Sequence, residues 1–352
     1  MHEAFDDFLR ERKYPGLDEL RQAVREQLGS DHDVAALMVQ RLAARVYRLV
    51  HRTDQGTKSL VVKCLDPPIA HRNLLVATRW LPAVGLSQSG PPLLATAADR
   101  SGRAVWHIYE DLGDATLAAT EPILSEVEAV VTCVADVHAR FAGHVLLPEC
   151  RLHGGDFGTY FFQSNTQDAV NGIASVRSLG LALSTDRREL LERLSDRLQS
   201  AVAFQSVTAL DHEARWSPYV WETMLHGDLW TSNTLVFPDE TGIRVRLIDW
   251  DHAAVGPVTY DLSTFLYRFP AHHRTWILAL YRDALTEFGR TIPPTAELNA
   301  YFTIAEYSRL ANRLIWPTIA IFEGLVDWGF EELARIEDWF GLLEPVLPDG
   351  EG

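Results

Sequence analysis

The sequence predicts an α+β chain of two lobes, a small β-rich lobe followed by a larger, mainly helical one. Three observations carry this. Strand-like stretches crowd the first third, at Val34–Val39, Arg45–Arg52 and Ser59–Lys63. Amphipathic helix patterns fill most of the remainder. A hairpin pattern sits between helical regions: the apolar run Leu235-Val236-Phe237, the turn Pro238-Asp239-Glu240-Thr241-Gly242, then Ile243, Val245 and Leu247 alternating with Arg244 and Arg246. The expected division is 1–110 for the N-lobe with an N-terminal helix and 111–352 for the C-lobe.

Taken in order, the first thirty residues read as helix. The strands follow, with Thr53-Asp54-Gln55-Gly56 as the turn before the third, which ends at Lys63. A helix is expected over Asn73–Leu81. An apolar strand from Ala104 then runs into Tyr109-Glu110-Asp111-Leu112-Gly113. Leu124, Val127, Val130, Val131, Val134, Val137 and Phe141 hold helical spacing over 122–141, and Gly143 stops that helix. His138 within it reads as a core histidine. From about 146 to 221 the pattern is weaker: an aromatic-rich stretch Asp156–Phe162, a charged helix Thr185–Phe204, then Trp216, Tyr219 and Trp221. Helices are expected over Arg274–Phe288, Thr295–Ile315 and Phe330–Leu343, with Trp316-Pro317 breaking the second run.

Composition narrows the class. At 352 residues and 47% hydrophobic content with ten Trp, the chain can bury substantial cores. No run approaches the ~20 apolar residues of a membrane span, and the charged N-terminus lacks the apolar core of a signal peptide. Cys64, Cys133 and Cys150 are too widely spaced for a disulfide framework or a zinc site. A reducing cytoplasm is the simplest location. A net charge of −16 disfavours nucleic acid and is compatible with a cationic small-molecule partner. No membrane partner is expected.

The chemistry concentrates in Met224–Leu266. Asp228 precedes Asn233 by five residues, and Asp249 follows the hairpin. An antiparallel pair brings Asn233, which enters the first strand, and Asp249, which leaves the second, to one open end. Two oxygen ligands there suit Mg²⁺. Asp228 lies just before the pair, where it can face a hydroxyl beside the metal.

The segment His226-Gly227-Asp228-Leu229-Trp230, followed by Asn233 and by Ile248-Asp249-Trp250-Asp251, resembles the aminoglycoside phosphotransferase and choline kinase-like small-molecule kinases. The His-Gly-Asp-Leu-Trp element also occurs in the fructosamine kinase and ecdysteroid kinase-like branches. The tail from Ile248 to Leu266 most resembles the aminoglycoside branch. The resemblance implies a protein-kinase-like two-lobe fold, with a catalytic loop over 224–251 and substrate-cap helices over about 146–221 and 274–345. It implies Asp228 as catalytic base, Asn233 and Asp249 as metal ligands, and Lys63 as a phosphate ligand. Glu110, Asp111 and Leu112 would form the hinge that holds a purine, mainly by main chain. His226 and Asp261 would support the catalytic loop. The implied reaction moves the γ-phosphate of ATP or GTP, with Mg²⁺, to a hydroxyl of a small molecule, an aminoglycoside or other antibiotic among them, which would confer resistance. A metabolic kinase acting on a sugar, choline-like or fructosamine-like acceptor stays open, as does a nucleotide-binding pseudokinase.

Two departures from the kinase pattern stand out. Gln40–Arg45, where a phosphate loop is expected, contains no glycine, so Arg41 or Arg45 would have to supply charge instead. No Glu lies between Lys63 and Tyr109, so the helix glutamate that usually orients the lysine has no candidate. Acids at Asp283, Glu287, Glu306, Glu323, Asp327, Glu331 and Glu332 are expected either to meet acceptor amines or to form solvated helix faces.

Overall fold

The structure is a computed structural model and describes residues 3–11, 13–29, 37–53, 56–207, 221–240 and 242–348. Its first part is an antiparallel sheet flanked by helices, and the rest is mostly helical, the α+β two-part architecture expected. In chain order the first part holds β1 (Glu3–Ala4), α1 (Phe5–Glu11), α2 (Leu17–Leu28), β2 (Met38–Ala43), β3 (Val46–Thr53), β4 (Gly56–Leu65), α3 (Pro67–Leu75), α4 (Leu81–Ala83), β5 (Leu93–Ala98) and β6 (Val105–Glu110). The strands form one sheet in the order β1-β2-β3-β4-β6-β5.

Strand parity decides what each face of this sheet does. Successive side chains point to opposite faces. Leu60, Val62 and Cys64 of β4, Tyr47 and Leu49 of β3, and Trp106 and Ile108 of β6 enter one apolar core with Phe5 and Phe8 of α1 and Leu20 and Val24 of α2. Their neighbours Val61, Lys63, Val46, Arg48 and Tyr109 face the other way, into a cleft. A register shift between Arg41 and Ala43 turns Leu42 and Ala43 of β2 toward that cleft as well.

The second part contains α5 (Leu124–Phe141), α6 (Leu147–His153), α7 (Thr159–Ser178), α8 (Thr185–Val207), β7 (Glu222–Leu225), β8 (Thr234–Asp239), β9 (Gly242–Leu247), β10 (Ala254–Pro257), α9 (Thr259–Tyr267), α10 (Ala271–Thr286), α11 (Thr295–Phe322) and α12 (Val326–Gly341). β7 pairs with β10 and β8 with β9, both antiparallel. The buried face of α5 packs with α9, α10 and the hairpin strands in one core. A second core joins α7, α8, α11 and α12. No helix is long and apolar enough to cross a membrane among the described residues. The three cysteines are free.

Several boundaries differ from the sequence reading, each for a physical reason. The N-terminal helix is two helices, because Pro15 and Gly16, with φ +76°, reverse the chain between them. Residues 34–36, Asp54 and Gln55, and Thr241 lie outside the described residues, as do Trp216 and Tyr219. The strand expected to end at Val39 instead continues to Ala43. Gln40–Arg45 is therefore mostly strand, and its turn is only Ala44-Arg45, with Arg45 at φ +62°. The helix expected from Asn73 starts at Pro67, because prolines fit the first turn, where no N–H is needed. Through Val76–Trp80 it widens into a π-helical turn.

Helix α11 runs through Pro317 instead of breaking there. A mid-helix proline costs about 3 kcal/mol, so packing must offset it. The Thr318 hydroxyl donates to the Ile315 carbonyl at 2.6 Å, and α12 presses Gly329 against this turn, where an added methyl would overlap Ile321 and lie 2.8 Å from the Pro317 carbonyl. Gly→Ala inside a helix ordinarily stabilises by about 1 kcal/mol. Gly329→Ala should instead destabilise by about 1–3 kcal/mol through overpacking, read as a lower unfolding midpoint. A raised midpoint would contradict this packing.

Candidate active site

The hairpin β8–β9 sets the register of the site. Thr234 pairs with Leu247, and the Ile248 N–H donates to the Asn233 carbonyl at 2.9 Å. Asn233 and Asp249 therefore leave the hairpin side by side. Asp249 adopts φ +66°, ψ +57°, a left-handed conformation that costs a non-glycine residue about 1 kcal/mol or more.

Beneath the hairpin lies a fully buried carboxylate. Asp261, in the first turn of α9, accepts the N–H of His226 at 2.7 Å and of Gly227 at 2.9 Å. His138 Nε2 approaches it at 3.3 Å, while His138 Nδ1 meets the Tyr281 hydroxyl at 2.8 Å. Burial pushes the Asp261 pKa up, but the hydrogen bond from His138, the neighbouring histidines and the Gly227 N–H pull it further down, so it lies below the ordinary carboxylate value.

The His226 ring spans the loop. Its Nε2 lies 2.8 Å from the Ile248 carbonyl, which only accepts, so Nε2 carries the proton. Nδ1 is then the acceptor for the Asp228 N–H at 3.4 Å. Burial lowers the His226 pKa, which keeps the ring neutral in this role. Gly227 has φ +82° and sits so close to His252 that an added methyl would overlap its carbonyl.

The cleft between the sheet and the helical part has a volume of about 470 Å³. Of the residues singled out from sequence, Lys63, Glu110, Asp111, Leu112, Asn233 and Asp249 line it. Asp228 lies at its edge, and Asn233 Nδ2 donates to the Asp228 carbonyl at 2.9 Å and reaches its carboxylate at 3.4 Å. His226 and Asp261 lie underneath, outside the cleft. Arg41 and Arg45 do not line it; Arg45 is paired with Asp66 at 3.1 Å.

Lys63 is held by two carboxylates. Its ammonium contacts Asp249 and donates to Asp251 at 2.7 Å. Asp251 in turn accepts from Asn73 Nδ2 on α3 at 2.9 Å, and its backbone carbonyl accepts from Arg72. Burial would lower the Lys63 pKa, but Asp249 and Asp251 raise it above the ordinary lysine value. Asp249 is pulled down by Lys63 against burial, while burial and the Asp249 charge push Asp251 up. Across the sheet His107 stays neutral, its pKa lowered to about 4 by burial and by Lys63.

Sequence reasoning assigned no role to Asp251, Asn73 or Arg48. The second acid of Ile248-Asp249-Trp250-Asp251 was the available signal for the first. Arg48 crosses from β3 to the segment that follows β6, pairing with Asp111 at 2.8 Å and Asp114 at 2.7 Å. The Asp111 side chain is thereby committed to Arg48 and to the Gly113 N–H. The Glu110 N–H donates to the Pro92 carbonyl, and the Leu112 backbone makes no hydrogen bond among the described residues.

Residues 124–288, which span α5 through the end of α10, match the model of the ecdysteroid kinase-like family. Similar solved structures include a spectinomycin phosphotransferase in complex with ADP and spectinomycin, at TM-score 0.56 and 11% identity over 93% of this chain and 95% of that one. The GDP complex of an aminoglycoside 2'-phosphotransferase-IIIa aligns at TM-score 0.55 and 12% identity over 91% and 99%. A Plasmodium vivax ethanolamine kinase aligns at TM-score 0.55 and 11% identity over 94% and 92%. The chain has the two-lobe, kinase-like fold. No curated protein sequence matches it. The matching family model is thus the ecdysteroid kinase-like one, not the aminoglycoside branch expected from the 248–266 tail.

The buried Asp261 hub fixes the conformation of residues 226–228, so its loss should be costly. Asp261→Asn leaves an amide facing two N–H donors and should destabilise by about 3 kcal/mol or more. Because the folded pKa of Asp261 is depressed, its contribution is complete above about pH 4 and is lost as pH falls through its folded value. The variant's stability should therefore vary less with pH on the acid side in urea unfolding. An unchanged acid limb would remove this role. Gly227→Ala should likewise shift the unfolding midpoint down, since both its φ and its contact with His252 oppose a side chain.

Proposed function

We propose that this chain is a Mg²⁺-dependent phosphotransferase that moves the γ-phosphoryl group of ATP or GTP to a hydroxyl of a small molecule. The observation that carries this reading is the convergence of Lys63, Asn233 and Asp249 on one cleft, with Asp228 hydrogen-bonded at its edge. The residues fit a metal. The Asn233 amide nitrogen is taken by Asp228, which leaves its carbonyl oxygen available beside the Asp249 carboxylate. No group of three or more His, Cys, Asp or Glu forms a metal cage among the described residues, and Mg²⁺ needs none, being held by one or two protein oxygens with water and phosphate. When bound, Mg²⁺ would neutralise charge on the transferring phosphates.

In this reading Lys63 binds the phosphates, released from part of its pairing with Asp249 and Asp251. Asn73 and Asp251 orient it, which is the task of a helix glutamate in the kinase pattern. The hinge main chain at 110–112 receives the base, and Arg48 stiffens that hinge through Asp111. Asp228 orients the acceptor hydroxyl and takes its proton as the new O–P bond forms and the bond to the β-phosphate bridging oxygen breaks. Positioning and charge stabilisation supply most of the rate. The similar structures hold antibiotic and metabolic kinases alike, so both acceptor classes belong to the reading.

The test is nucleoside-diphosphate release with Mg²⁺ and ATP or GTP across antibiotic, sugar and amino-alcohol acceptors. Asp228→Ala should lower kcat by a factor of about 10²–10⁴, with an unchanged melting curve; wild-type turnover in that variant would refute the role. Asp251→Asn and Asn73→Ala should raise the nucleotide KM at least as much as they lower kcat, because they act through Lys63. Nucleotide kinetics unchanged in both would sever that link.

A further inference from the structure

The helices beside Asp228 carry arginines as well as the acids that the sequence left open to two readings, acceptor amines or solvated faces. Of the seven acids named on the C-terminal helices, Glu306 alone is buried. It is already neutralised by Arg309 and accepts the Ser263 hydroxyl at 2.8 Å. Glu332 pairs with Arg335 and Asp327 with Arg187 at 2.6 Å. Asp283, Glu287, Glu323 and Glu331 are exposed to solvent.

Two guanidiniums beside the loop make no direct ion pair among the described residues. Arg268 follows α9, the helix whose first turn carries Asp261. It lies over the Trp230 ring at 4.1 Å and near Trp339 at 5.9 Å. Trp230 is two residues from Asp228, and its backbone N–H donates to the Asp228 carbonyl at 2.8 Å. Arg313, one helical turn from Arg309 on α11, is exposed to solvent and lies over the other aromatic, Trp339, at 4.6 Å. The two indoles meet edge to face at 6.5 Å. Neither Arg268 nor Arg313 has a carboxylate partner or a side-chain hydrogen bond among the described residues. Arg268 Nε and Trp230 Nε1 are buried donors without an acceptor among the described residues. Burial lowers the Arg268 pKa while the Glu306 and Asp228 carboxylates oppose it, and the group stays charged.

Buried donors are nearly always satisfied, and an arginine fork matches an oxyanion. In a chain of net charge −16, two arginines stacked on two indoles next to the loop form a local concentration of positive charge. We propose that the acceptor bound beside Asp228 is an anionic hydroxyl compound, whose carboxylate or phosphate group is held by Arg268 and Arg313 against Trp230 and Trp339. This rests on the phosphotransferase reading and narrows it away from cationic acceptors. Arg268 and Arg313 are positioning groups: they fix the anion so that a hydroxyl of the same molecule reaches Asp228.

The test is calorimetric binding to the full chain, with and without Mg·ADP. The probes are glycerate and gluconate (carboxylates), glycerol 3-phosphate and glucose 6-phosphate (phosphates), glycerol and glucose (neutral), and choline, glucosamine and kanamycin (cationic). At least one anionic probe should bind saturably, with the carboxylate and phosphate arms identifying the group. Arg268→Gln and Arg313→Gln should each weaken it by tenfold or more, the double variant should abolish it, and Arg268→Lys should recover only part. Cooperative melts of the variants would show that they fold. No binding by any anionic probe, binding indifferent to both substitutions, or tighter binding by a neutral or cationic probe that the substitutions leave intact would overturn the proposal. Failure of Mg·ADP to bind, with anion binding present, would retire the phosphotransferase reading and leave the anion site standing.

Discussion

Everything at the centre of this molecule depends on one buried carboxylate. Asp261 accepts two successive backbone N–H groups, from His226 and Gly227, and a ring N–H from His138. An ionised carboxylate without water is costly unless such donors surround it. The N–H groups of a left-handed glycine turn are equally costly without an acceptor. Each side requires the other. The loop that presents Asp228 is thereby locked to the start of α9, and α9 is locked to α5 through His138. The same helix leads into Arg268 at its other end, so one element fixes both the loop and the arginine stacked on Trp230.

A second constraint acts across the cleft. Lys63 sits on the cleft face of β4, opposite a core filled by Phe8, Tyr47 and Trp106. Its ammonium meets Asp249 and Asp251, and Asn73 joins Asp251 from α3. The sheet and the helical part are thus tied by an acid–base network, with no carboxylate contributed by α3. Negative charge entering the cleft would compete with these acids for Lys63.

Much of this was legible because it is local. The alternation of Leu60, Val61, Val62 and Lys63 places the lysine on a face, and the hairpin register follows from the turn at 238–242. The Asp228, Asn233 and Asp249 spacing then brings three polar groups together without any long-range information. What was not legible is pairing between distant segments. Asp251 meets Asn73 across 178 positions of sequence, and no periodicity reports that. Arg309 and Glu306 share a helix and look like solvated charges, yet both are buried against Ser263 and Tyr260. The acids on these helices were open to two readings, a site for amines or solvated faces, and all but Glu306 and the partly covered Glu332 are exposed. Pro317 was read as a helix break, yet it lies within α11, where α12 packs against it.

The central claim is that Asp228 directs phosphoryl transfer to a hydroxyl. Its most direct test is phosphorus NMR of the protein with Mg·ATP or Mg·GTP and a small-molecule extract as the acceptor pool. The account predicts a new phosphomonoester resonance that grows one for one with nucleoside diphosphate and is absent with Asp228→Ala. Nucleotide consumed only to inorganic phosphate, or a phosphomonoester that persists at the wild-type rate in the variant, would contradict it.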